Sequence, residues 1–79
     1  MMQQNNKSNT IVAIRMHYQI QQSSIAKICG VSRWTVVQWE AGRASPTLNH
    51  LERIADELNV SVSDILRLSY IGIKHRIRL

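Results

Sequence analysis

Leu48, Leu51, Ile54, Ala55 and Leu58 recur at the spacing of one helical face, and shorter runs of the same kind lie on either side. Each run is soon broken by a glycine, a proline or a capping residue. A chain punctuated in this way builds neither one long helix nor a sheet; it builds short helices that bury their apolar stripes against one another. Ser8 or Asn9 is placed to cap a first helix, with Ile11, Ile14 and Tyr18 turned inward. A second is expected from Gln22 to Ile28, burying Ile25, Ala26 and Cys29, with Gly30 free to take the positive φ of a helix stop. Val31 tucks in, Ser32 caps a third helix that runs to Glu40, and Gly42 ends it. Residues 43–46 form a loop, and Thr47 caps the fourth helix. Ser61-Val62-Ser63-Asp64 is close to a capping box and opens a fifth through Ile65, Leu66 and Leu68. The expected fold is an all-α, five-helix bundle.

At 79 residues this is one small domain. Residues 1–9 are polar without periodicity and read as a flexible arm, residues 10–68 as the bundle, and residues 69–79 as a tail. The tail alternates, with Ile71, Ile73, Ile77 and Leu79 on one side and Lys74, Arg76 and Arg78 on the other. One strand cannot satisfy its own backbone, so a C-terminal β-strand would pair with a second copy and make a homodimer. A basic amphipathic helix is the rival, because Tyr70, Ile73 and Ile77 also fit helical spacing.

Charge narrows the partners. The net charge is +5, with +4 in residues 1–51, −3 in 52–66 and +4 in 67–79. Such segregation suits a polyanion better than a surface built only for solubility. Cys29 is the single cysteine, no stretch has the layout of a secretory signal, and no run approaches the about 18 apolar residues of a membrane span. The expectation is a soluble protein in the reducing cytoplasm, where Asn6-Lys7-Ser8 and Asn59-Val60-Ser61 carry no meaning as glycosylation sites. His17, His50 and His75 are too dispersed for a zinc site, and no nucleophile–base set or phosphate-cradling glycine loop is present. No enzyme activity and no cofactor are expected. Cys29 reads as a small core hydrophobe and His50 as a surface helix residue.

The third helix, in GVSRWTVVQWEAG, holds two tryptophans in a chain with little core to fill. On a helical wheel Val36 and Trp39 fall about 60° apart and continue the apolar face begun by Val31. The opposite face is centred on Trp34, flanked by Arg33, Val37 and Gln38. Trp39 is therefore core, and Trp34 points away from the bundle. Helix, short glycine-containing turn, helix is the layout of a DNA-binding helix-turn-helix.

The stretch IQQSSIAKICGVSRWTVVQWEAGRASPTLNHLERIADELNVSVSDIL resembles the Cro/phage-repressor (XRE-type) helix-turn-helix family. The likeness covers residues 11–66 and rests on an ordered set: Gln22 opening helix two, Ala26 at the helix crossing, Gly30 in the turn, Val36 inward, Glu40 and Gly42 closing helix three, and Pro46 before a capped fourth helix. The resemblance implies that Arg33, Trp34, Thr35, Val37 and Gln38 read base edges in a major groove. Arginine suits guanine O6 and N7, and glutamine suits adenine N6 and N7. Gln22, Ser32, Arg43, Ser45 and Thr47 would meet phosphates, helped by helix amino ends. Arg15 and Glu40 would form an ion pair tying helix one to helix three.

The chain also departs from the pattern. Gln19 stands where the family usually has glycine, Gln21 is a poor cap, Ala41 replaces a common asparagine, and Ile28 falls on an outward position. The expected function is a sequence-specific transcription regulator of Cro or repressor type, binding a pseudo-palindromic double-stranded operator as a homodimer. A DNA-binding antitoxin with a toxin partner, and the controller protein of a restriction–modification system, share the fold. An interaction-only module, with Trp34 and Ile28 as its contact patch, is a different class. RNA polymerase would be excluded or recruited; the residues do not say which.

Overall fold

The computed structural model describes residues 6–68, with side chains from residue 10 onward. The tail, and with it the expected strand and dimer contacts at Ile71, Ile73, Ile77 and Leu79, lies outside the described residues. Five helices follow one another: α1 (Asn6–Tyr18), α2 (Gln22–Cys29), α3 (Arg33–Glu40), α4 (Leu48–Leu58) and α5 (residues 62–68). The helix α1 begins at Asn6, before the expected cap, so Ser8 and Asn9 belong to its first turns.

The first four helices end alike. Each passes into a residue in the left-handed region: Gln19 at φ 57°, Gly30 at 72°, Gly42 at 81° and Asn59 at 61°. The following N–H then reaches back five residues, Ile20 to Arg15, Val31 to Ala26, Arg43 to Gln38 and Val60 to Ala55, at 2.9–3.0 Å. This closure satisfies carbonyls that a helix end otherwise leaves bare. The motif favours an apolar residue at that following position. Ile20, Val31 and Val60 comply, each half-buried against the core. Arg43 does not.

The starts are equally well specified. Ser32 accepts the Thr35 N–H on its hydroxyl at 3.1 Å, and Ser61 and Asp64 make reciprocal bonds from Asp64 N–H to Ser61 Oγ and from Ser61 N–H to Asp64 Oδ2. Thr47 accepts the His50 N–H at 3.2 Å, and the Thr47 N–H donates to His50 Nδ1 at 2.9 Å. His50 thus takes the capping-box place that Glu or Gln usually fills. Among the helices whose starts are described, α2 to α5, only α2 lacks a side-chain cap, as the glutamine at position 21 foretold.

One cluster of apolar side chains holds the helices together. Ile11 and Ile14 come from α1, Ile25, Ala26 and Cys29 from α2, Val36 and Trp39 from α3, Leu51, Ile54 and Ala55 from α4, and Ile65 from α5. The α3 helix packs on both α2 and α1, and α4 packs on α2, so the third helix is wedged along one side only. Two expectations are corrected. Leu48, expected on the buried face of α4, is exposed in its first turn. Ile28, expected outward, is half-buried and packs against the cluster.

Candidate nucleic-acid interface

The orientation of α3 is set from its carboxyl end. Glu40 Oε1 accepts a hydrogen bond from Gln22 Nε2 at 3.0 Å, and Glu40 Oε2 lies 3.3 Å from Arg15 Nε. The second contact is at ion-pair distance but is not a hydrogen bond. It acts through Coulombic attraction, which the partial burial of both groups leaves less screened than at an open surface. One carboxylate therefore joins α1, α2 and α3. Arg15 and Glu40 meet as the resemblance implied; the inclusion of Gln22 was not foreseen. Glutamine keeps a second N–H donor and its backbone N–H at the helix start.

On the core side of α3, Trp39 is 2% exposed and packs its ring against His50 at 4.9 Å between centroids. His50 is half-buried rather than a plain surface residue. Burial first, and the Arg53 guanidinium second, lower its pKa below the ordinary imidazole value. Its signal in the sequence was the Thr-x-x-His spacing, legible only if imidazole Nδ1 is counted as a cap acceptor. Cys29 is buried beside it and donates its thiol to the His50 carbonyl at 3.7 Å; burial raises the thiol pKa, against a smaller lowering by Arg53.

On the other side, Trp34 is 69% exposed. Arg33 is exposed next to it, and Val37 and Gln38 are half-buried one turn on. Thr35 is half-buried, with its hydroxyl 3.1 Å from Ser32 Oγ. Arg33 also lines an open cleft of about 360 Å³ with Arg15, Gln21, Gln22 and Ser23. Arg33, and Arg15 with its charge already met by Glu40, thus flank the uncapped amino end of α2, whose open N–H groups suit an anion. Ser32 spends its hydroxyl oxygen on the α3 cap and Thr47 does so on the α4 cap, while Ser45 is exposed in the loop before the buried Pro46. Arg43 Nε donates to Gln38 Oε1 at 2.8 Å, linking the loop after α3 to the last turn of its outer face. That pair also went unread in the sequence.

Two helices joined by a three-residue turn at 30–32, the second with a polar and aromatic outer face, now stand in place. A family model described as helix-turn-helix matches residues 11–65, which is 55 of the 79 residues. The chain belongs to this helix-turn-helix family, of the Cro/XRE type. Neither a curated protein nor a solved structure matches the chain. The helix-turn-helix is a DNA-binding regulatory domain and not an enzyme family. Among the described residues no helix is long and apolar enough to cross a membrane.

Proposed function

We propose that this helix-turn-helix is a sequence-specific transcription regulator of Cro or repressor type, working in the cytoplasm as a homodimer on a pseudo-palindromic operator. Two copies of α3 would enter successive major grooves about 34 Å apart. The observation that carries this reading is the outward stand of Trp34, with Arg33 beside it and Gln38 one turn on, on a helix anchored by Glu40. An indole that the described residues leave open is useful where it packs against thymine methyls or sugars. Arg33, in the first turn, has the fork that guanine O6 and N7 accept. The basic cleft at the start of α2, with Gln22, and the amino end of α4 at Thr47 supply the phosphate register, with Ser32, Arg43 and Ser45 between them.

Footprinting on the DNA upstream of the protein's own gene tests the proposal. Protection of an inverted repeat with half-sites about one helical turn apart is expected. Arg33→Ala should lower affinity for that site by roughly 5- to 150-fold and relax one base position per half-site. Equal losses on specific and random duplexes would remove Arg33 from base reading. A protein that protects no site and co-purifies with another protein would favour the interaction-only module.

A further inference from the structure

Gln38 is not free to choose how it presents its amide. Arg43 Nε donates to Gln38 Oε1 at 2.8 Å, so the oxygen faces the loop and the NH₂ group faces away from it. Arg43 is held there by its own backbone, because its N–H closes the end of α3 on the Gln38 carbonyl at 3.0 Å. The same two residues are thus joined twice, once through the main chain and once through the side chains. At the equivalent place after the other three helices the chain carries Ile20, Val31 or Val60, each packed on the core. Here an exposed guanidinium takes that place and reaches back along the outer face of α3.

We propose that Arg43 is a positioning residue that sets the base preference of Gln38, making the pair a reader of guanine. This rests on the groove-reading role of α3 proposed above. A glutamine alone matches adenine, because it offers one acceptor and one donor to adenine N6 and N7. With its oxygen turned to Arg43, the amide offers donors, and the guanidinium beside it offers more donors and a positive charge. Guanine presents two acceptors in the major groove, O6 and N7, whereas adenine presents the N6 donor, which the guanidinium disfavours. Recognising adenine would require breaking the 2.8 Å bond and turning the amide. A charge-assisted bond at the surface makes that roughly a 5- to 10-fold disadvantage.

Selection from a library of randomised duplexes, with the full chain and with two variants, decides the matter. Gln38→Ala marks the position that Gln38 reads, as the one whose base preference is lost. The wild-type protein should select guanine there. Arg43→Ala should move the preference at that position towards adenine by about 5- to 10-fold while the Arg33 position is unchanged. The Arg43→Lys variant keeps the charge, so it should hold the salt slope of binding while weakening the guanine preference. Adenine selected by the wild type at the Gln38 position overturns the proposal and leaves the DNA-binding reading intact. So does an Arg43→Ala variant that weakens every duplex alike with the preference unmoved, which would make Arg43 a phosphate contact only. Failure of the wild type to select any duplex overturns both.

Discussion

At the elbow between α1 and α2, Gln19 holds φ 57° although it carries a side chain, and replacing it with glycine should make the protein more stable. A residue with a Cβ pays about 1–2 kcal/mol to sit in the left-handed region. Glycine escapes that but gives the unfolded chain more freedom, which returns about 0.4–1 kcal/mol. The Gln19 side chain is exposed and makes no described hydrogen bond, so truncating it sacrifices no contact. The net gain is about 0.5–1 kcal/mol, which raises Tm by about 3–6 °C in a domain this small. Thermal unfolding followed by circular dichroism measures it. Gln19→Ala is the control, since alanine truncates the side chain without relieving φ, and it should give no such rise. If alanine stabilises as much as glycine, or if glycine lowers Tm, then backbone strain at this elbow is not the governing term.

The two tryptophans should respond oppositely. Trp34→Ala should change stability by less than about 0.5 kcal/mol and weaken operator binding, whereas Trp39→Ala should cost about 3–5 kcal/mol and leave little folded protein; melts paired with gel shifts separate them. Because the folded pKa of His50 is depressed, the unfolded chain takes up that proton first. Its contribution is full above about pH 6.5 and is lost as pH falls through the folded value. Urea midpoints between pH 7.5 and 5 should therefore fall more steeply for the wild type than for His50→Asn, and parallel curves would count against the capping role. Cys29, buried and with a raised pKa, should react with iodoacetamide only as fast as the chain opens, so alkylation should accelerate with urea in step with unfolding.

The parts of this fold that could be read without coordinates are those governed by neighbours in the chain. Ser32, Thr47 and Ser61 cap where capping chemistry placed them, and the wheel alone separated buried Trp39 from exposed Trp34. Gln19, standing where the family usually has glycine, announced the strain that the backbone shows. Periodicity misjudged Leu48, because it counts faces and does not know where the core stops along a helix. It missed the share of Gln22 in the Glu40 contact and the Arg43–Gln38 bond for a different reason. Both depend on two elements meeting at a set angle, which no local pattern encodes. Among the residues expected at DNA, Arg33, Trp34, Val37 and Gln38 share one outer face of α3, while Ser32 and Thr47 already serve as caps.

The anchoring of α3 by a single carboxylate at its far end has a consequence for how such a protein diversifies. Glu40, Arg15 and Gln22 hold the rod, Val36 and Trp39 seat it, and the solvent-facing residues at 33 and 34 help with neither. If the outer face of α3 reads bases as proposed, frame and lettering are carried by separate side chains of the same two turns. A lineage could then rewrite the letters, and so change which promoter it visits, without having to relearn how to fold.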